Sequence, residues 1–150
     1  MIYDFLFSFT AVLCYAYLFD VPLGPSITAA FTGSLAWVIA QIWLANSVFG
    51  TFLAAFIIAA IAYLLAPRLH VPVTSIIIPG IIVLVPGMAA YKALRDMIDG
   101  NYIPSIMGII SVSAITFSIA GGLSVAELIM LRVNRMIQRW QQSRKKKKLK

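Results

Sequence analysis

Two Pro-Gly pairs lie seven residues apart in one apolar run, Ile76-Ile-Ile-Pro-Gly-Ile-Ile-Val-Leu-Val-Pro-Gly87. Pro79 has no N–H to offer the carbonyl of Ser75, and Pro86 has none for the carbonyl of Ile82. The glycine after each proline lowers helix persistence further, so the run predicts a helix that is kinked or partly unwound. At membrane depth, backbone that has lost its partners is tolerated only where it lines a cavity or is covered by protein.

The composition indicates a membrane protein, since 61% of the 150 residues are hydrophobic and only 11% are charged. A soluble domain of this size would not carry so much apolar sequence. Nine of the twelve Lys and Arg residues lie between Arg132 and Lys150, so the net charge of +7 describes the C-terminal tail. The single cysteine, Cys14, can form no internal disulfide, and we interpret it as a small packing residue.

A membrane-spanning helix needs roughly 20 mostly apolar residues, and this length divides the chain into about five segments. They run from Ile2 to Phe19, from Ser26 to Ala45, from Val48 to Ala66, from Val73 to Tyr91 with a polar extension from Lys92 to Asp99, and from Ile103 to Leu131. Short loops predict antiparallel neighbours packed side by side. The sequence therefore predicts an all-α polytopic membrane bundle with a Pro-Gly-broken fourth segment, in a transmembrane domain of residues 1–131 followed by a basic cytoplasmic tail of residues 132–150.

The tail sets the orientation, because Lys and Arg residues next to a membrane helix are retained in the cytoplasm. We expect a multi-pass protein of the cell inner membrane with a cytoplasmic C-terminus. Five full crossings would place Arg68 in the cytoplasm and both Lys92 and Arg95 outside. If the fourth segment is only re-entrant, Arg68 moves to the outside. We prefer five crossings.

Small residues recur at helical spacing in the third and fifth segments. Such stripes allow helix backbones to approach closely in lipid. They are compatible with packing inside the chain, or with a seam for a partner subunit or a sliding surface. The stripe in the fifth segment comprises Ala114, Ser118, Gly122 and Ala126, and the shorter stripe in the third segment is either Gly50 with Ala54 or Ala55 with Ala59.

No catalytic constellation is present in the sequence, so we predict that the protein is not an enzyme and uses no cofactor. One His, one Cys and scattered carboxylates give no metal-ligand spacing, no nucleophile beside a base and no glycine-rich phosphate loop. The lysine-rich tail lacks interleaved aromatics and follows a membrane helix directly. Attraction to anionic lipid, not to nucleic acid, is the expected role of the tail.

The broken fourth segment is the candidate binding site. Unwinding at Pro79 and Gly80 would free carbonyls such as that of Ser75 for a cation or an ammonium group. Pro86 suits the first turn of a new helix, whose unpaired amides and positive dipole end would point into the bundle and attract a carboxylate. A structural kink without a ligand is the alternative. Asp4 and Asp20 lie at segment ends, where we expect them to be solvated.

Glu127 is the candidate for proton coupling, about one turn from the cytoplasmic end of the fifth segment. A charge within the hydrocarbon is costly and usually functional. An interfacial carboxylate without a role in transport is the alternative interpretation of Glu127.

The fourth segment reads Pro72-Val-Thr-Ser-Ile-Ile-Ile-Pro-Gly-Ile-Ile-Val-Leu-Val-Pro-Gly-Met-Ala-Ala-Tyr91. This run resembles the signature of the threonine/serine exporter family, in the small-subunit form of its two-component members. The stretch Phe19-Asp20-Val21-Pro22 is similar to the family's first-loop pattern. The sequence departs at Val83, where many members carry a further proline, so a milder interruption is expected. The resemblance implies a larger membrane subunit as partner, and export of threonine and serine or, in one branch, of succinate.

We therefore predict the small subunit of a two-component exporter for a small carboxylate-bearing metabolite. An assembly subunit that binds no substrate is the alternative. Pro79, Gly80, Pro86 and Gly87 are predicted to set the geometry of the site, with Ser75 and Tyr91 as lining groups.

Overall fold

The computed structural model describes the backbone of residues 2–42 and 47–148, and the side chains of residues 2–42 and 48–133. This part of the chain is helical and contains no β-strand. The helices are α1 (Ile2–Leu18), α2 (Leu23–Ile42), α3 (Ser47–Leu69), α4 (Thr74–Ile81), α5 (Gly87–Ile98) and α6 (Tyr102–Lys148), with a 3₁₀ turn at Ile82–Leu84 between α4 and α5. The predicted all-α polytopic membrane bundle is confirmed.

The helices correspond to the five predicted segments. Leu23–Ile42, Val48–Leu69 and Tyr102–Val133 are each long and apolar enough to cross a bilayer, and α4 with its 3₁₀ turn and α5 would form a further span that is bent by 48°. Helix α1 has 17 residues and is slightly shorter than a full span. Helix α3 continues through Pro67 to Leu69, beyond its predicted end.

Helix α6 continues to Lys148, so no helix end separates the transmembrane domain from the basic tail at residues 131 and 132. The side chains of residues 134–150 lie outside the described part of the structure. The contact of the tail with anionic lipid therefore stays a prediction.

Three helices end in the same type of C-cap. A residue one or two positions after the end of each helix has a positive φ, and the next N–H bonds the carbonyl five residues earlier, which is the Schellman motif. The capping residues are Asp20 (φ 52°) after α1, His70 (φ 56°) after α3 and Gly100 (φ 81°) after α5. The corresponding bonds join Val21 to Ala16, Val71 to Ala66 and Asn101 to Asp96.

Helices α1 and α2 form an antiparallel pair, and α3 and α4 pack against α2. Two apolar clusters form the core, and alanines contribute most of their fully buried positions. Alanine permits close helix approach, which stabilises association where lipid tails remove the hydrophobic driving force between helices. A side-chain carbon added at Gly24, at the start of α2, would lie 3.9 Å from Leu69 at the end of α3, so these two ends share one side of the bundle.

Helices α3 and α6 pack along the two predicted small-residue stripes and run in the same direction. The Ser118 hydroxyl donates a hydrogen bond to the Val48 carbonyl near the start of α3. Farther along both helices, Gly122 lies against Ala55 and the backbone of Phe52. The stripes therefore form a seam within this chain.

Helices α5 and α6 form a hairpin beyond this seam. The principal contact of α5 is with α6, and Ala93 on α5 packs against Gly108, where an added side-chain carbon would lie 2.8 Å from the Ala93 Cβ. Gly108 precedes Ser118 on α6 by ten residues, or about 15 Å of helix. The hairpin therefore extends past the first turn of α3.

Candidate functional site

The second Pro-Gly pair interrupts the fourth segment as predicted. Val85 is extended, with φ −67° and ψ 124°, and Pro86 has φ −80° and ψ 53°. The Gly87 N–H donates to the Val85 carbonyl at 2.8 Å, so Pro86 occupies the centre of an inverse γ-turn. The main chain changes direction here, and α5 begins at Gly87.

The first turn of α5 leaves main-chain amides available. The Ala90 N–H bonds the Pro86 carbonyl at 3.0 Å, and Pro86 provides no side-chain cap. Among the described residues, the Met88 and Ala89 amides have no hydrogen-bond acceptor. The positive end of a helix dipole lies at such a terminus, which makes it suitable for a carboxylate.

The first turn of α5 is exposed on the surface of this chain, although the sequence predicted that it would point into the bundle. Gly87, Met88 and Ala89 are not buried, and a side chain added at Gly87 would meet no atom within 4 Å. No other part of the chain that the structure describes encloses these amides.

The first Pro-Gly pair does not unwind the helix, so that part of the prediction is wrong. Helix α4 continues through Pro79 to Ile81, and the hydrogen-bond pattern changes to 3₁₀ only at Ile82. Pro79 and Gly80 are both buried. A side chain added at Gly33 on α2 would lie 2.9 Å from the Gly80 carbonyl oxygen, so α2 covers this part of α4 and holds it in helical form.

Ser75 and Pro79 share a small pocket at one end of the bundle. The pocket has a volume of about 130 Å³ and lies between the α1–α2 corner and the first turns of α4. Ser75 is half-buried. Pro79 has no N–H, so the carbonyl of Ser75 lacks its usual helical hydrogen-bond donor. The pocket is lined by Phe19, Val21, Thr74, Ser75, Ile78 and Pro79.

Tyr91 lies in a different place, along an open groove of about 640 Å³ on the surface of α5. Met88 and Ala89 also line this groove, together with the charged side chains of the helix. The structure thus separates the predicted site residues. Ser75 and Pro79 share a pocket, Gly80 is packed against α2, and Gly87 and Tyr91 lie on the exposed side of α5.

Sequence reasoning missed a groove of about 330 Å³ beside the break. It lies between α1, α2 and the 3₁₀ turn, and Asp4, Ser8, Trp37 and Val83 are among its lining residues. Asp4 is four residues before Ser8, so the two polar side chains share one face of α1. The four-residue spacing of two polar side chains within an apolar segment was the feature of the sequence that could have indicated this groove.

Glu127 is exposed on the outer part of α6, where its carboxylate interacts through a hydrogen bond with the phenol of Tyr63 on α3. Tyr63 is half-buried and was not recognised as a partner from the sequence. Whether Glu127 takes part in coupling stays a prediction. No cluster of three potential metal ligands occurs in the described part of the chain.

Comparison with known proteins gives one family. A family model described as "Threonine/Serine exporter, ThrE" matches residues 4–129, a range that includes parts or all of each of the five segments. Neither the curated proteins nor the solved structures gave a match.

Proposed function

The chain belongs to the threonine/serine exporter family, and we propose from this premise that it is the small membrane subunit of a two-component exporter for small carboxylate-bearing metabolites. Family membership and the helical bundle together support a role in export across a membrane. The proposed cargo is threonine and serine or succinate, and the proposed partner is a larger membrane subunit of the same family.

The observation that carries the proposal is the exposed helix start at Pro86 and Gly87. Two amides of this turn lack acceptors among the described residues, and they lie in a bent segment that is apolar enough to span a bilayer. Within the membrane, backbone groups that lack hydrogen-bond partners are tolerated where they face protein or water, but not where they face lipid. A second subunit that covers this side would satisfy the constraint and would enclose a carboxylate at the dipole end.

Energy for export would come from the membrane potential or a proton gradient, because the sequence contains no nucleotide-binding motif. Glu127, with the Tyr63 phenol beside it, is the proposed coupling group. An uncoupled channel is the competing mechanism, and its flux would be indifferent to an imposed proton gradient.

A Gly87→Leu substitution tests the site. We expect export to fall by at least about tenfold, because the side chain would cover the amides of the first turn. The bundle should fold normally, since an added Cβ meets nothing within 4 Å. Gly87→Ala is the matched control for the loss of glycine. Normal export by Gly87→Leu would contradict the site.

The alternative function is an assembly subunit that binds no substrate. If the chain is an assembly subunit, the Gly87→Leu variant should no longer co-purify with the larger subunit. If the chain carries a transport site, the variant should still co-purify with the larger subunit while export falls. Transport of labelled threonine, serine and succinate by proteoliposomes, with and without the larger subunit, would identify the cargo. Absence of transport of all three by the intact complex would contradict the proposed substrate class.

A further inference from the structure

The α1–α2 groove is the groove of about 330 Å³ beside the break, and Asp4, Ser8, Trp37 and Val83 are among the residues that line it. Asp4 and Ser8 belong to α1, Trp37 belongs to α2, and Val83 lies in the 3₁₀ turn. Asp4 is exposed, and it is the one charged residue among the described residues that line the groove. The groove is therefore negatively charged, and its volume lies at the lower end of the range for small-molecule sites.

Ser8 carries a hydroxyl group without a partner in the described part of the chain. Other helical hydroxyls, such as those of Thr10 and Ser34, donate to the carbonyl four residues earlier, but the Ser8 hydroxyl does not. Ser8 is 7% exposed, and its oxygen is not fully enclosed by the chain, so a ligand in the groove can reach it. A buried hydroxyl without a partner costs free energy, which indicates that a ligand completes its hydrogen bonding.

The main chain offers a further acceptor at Val83. In a continuing helix, the Val83 carbonyl would accept a hydrogen bond from the N–H of residue 86 or 87. Pro86 has no N–H, and the Gly87 N–H donates to the Val85 carbonyl. The Val83 carbonyl therefore has no main-chain donor among the described residues, and it lies at the end of the helical run where the dipole is negative.

These groups favour a cation that carries N–H donors. A carboxylate, a hydroxyl and a carbonyl all accept hydrogen bonds, and the bond between a carboxylate and an ammonium group is charge-assisted. Trp37 lies beside them, and the face of an indole ring attracts cations. A hard metal ion is a poorer match, because such ions take about six or more oxygen ligands, whereas this groove has a single carboxylate and apolar walls at Phe7 and Ala11.

We propose that the α1–α2 groove binds the ammonium group of the exported molecule, with Asp4, Ser8 and the Val83 carbonyl as its acceptors. This inference rests on the proposed export function and deepens it, since it assigns a cargo that carries an ammonium group as well as a carboxylate. The free carbonyl of Val83 precedes Pro86, and the free amides at the start of α5 follow it. The two sides of one break thus offer opposite partners to a zwitterion.

Asp4→Asn tests the charge, because it removes the negative charge with little change in shape. In proteoliposomes that contain the larger subunit, we expect the KM for labelled threonine and serine to rise by about tenfold or more. Transport of labelled succinate, which has no ammonium group, should be unchanged. Asp20→Asn is the matched control, because Asp20 lies beyond the other end of α1 and asparagine tolerates its positive φ. This control should transport each compound as the natural sequence does.

Ser8→Ala separates a role in binding from a role in the fold. Because the hydroxyl has no partner within the described chain, its loss should leave the midpoint of thermal unfolding unchanged or raise it. The KM for threonine and serine should nevertheless rise by about fivefold. A lower midpoint with an unchanged KM would assign the hydroxyl to the fold and would overturn its role in binding.

The outcomes distinguish failure of the groove from failure of the proposed function. Equal losses of threonine and succinate transport in Asp4→Asn would overturn the ammonium site. Transport of succinate but of neither amino acid by the natural sequence would also overturn it, while export itself would stand. Transport of none of the three would contradict the proposed function, and binding of labelled threonine to the purified complex would then decide the site. Binding that is about tenfold weaker in Asp4→Asn would support the groove, and equal binding would overturn it.

Discussion

At the scale of single residues, a few glycines set the distances between helices. A side-chain carbon at Gly122 would lie 2.5 Å from the Phe52 carbonyl oxygen, and one at Gly33 would lie 2.9 Å from the Gly80 carbonyl oxygen. Both contacts are with backbone, which cannot move aside as a flexible side chain does. These positions therefore fix the α3–α6 and α2–α4 separations.

Two adjacent glycines on α6 provide a matched pair of substitutions. Gly122→Ala should destabilise the bundle by about 2 kcal/mol, because the methyl group forces α3 and α6 apart. Gly121→Ala places its methyl group 3.5 Å from the Phe52 ring, an ordinary contact, and should be neutral or stabilise the helix by up to about 1 kcal/mol. Thermal unfolding in detergent compares the two variants, and equal midpoints would show that the seam is not closely packed.

At the scale of elements, the same dipeptide has different effects at its two positions. The residue before a proline is disfavoured in the helical region, and Val85 before Pro86 is indeed extended, yet Ile78 before Pro79 remains helical. Local sequence predicted five helical segments and a break in the fourth, and both are confirmed. It did not predict which pair would break the helix, because the contact of Gly80 with Gly33 on α2 is between residues that are distant in sequence.

Alanine substitutions at the two prolines should separate these effects. Pro79→Ala restores an N–H within a continuous helix and should stabilise the protein by about 1 to 3 kcal/mol while export is retained. Pro86→Ala should allow helical structure to extend across the γ-turn, and we expect export to fall by about tenfold or more as the free amides are lost. Transport and thermal unfolding are measured on both variants. Loss of export in Pro79→Ala alone would assign the functional break to the first pair.

At the scale of the whole molecule, the direction of α6 relative to α3 indicates whether the fourth segment crosses the membrane or turns back within it. Ser118 contacts Val48 near the start of α3, and Glu127 contacts Tyr63 nearer its end, so α3 and α6 are parallel. A re-entrant fourth segment would return the chain to the side on which α3 ends, and α6 would then run antiparallel to α3. The parallel packing of α3 and α6 therefore predicts that the bent segment from Thr74 to Ile98 crosses the membrane fully, despite its angle of 48°.

Full crossing predicts which loops share a side of the membrane. In a Cys14→Ser background, single cysteines at Leu23, Arg68 and Asn101 place one probe at the start of α2, one at the end of α3 and one between α5 and α6. An impermeant maleimide should react with the first two from one side and with Asn101→Cys from the other, because the fourth segment separates them. The positive-inside bias further predicts that Asn101→Cys is the position labelled on intact cells. Labelling of Arg68→Cys and Asn101→Cys from the same side would mean that the fourth segment turns back within the bilayer, and the parallel contact between α3 and α6 could not then form.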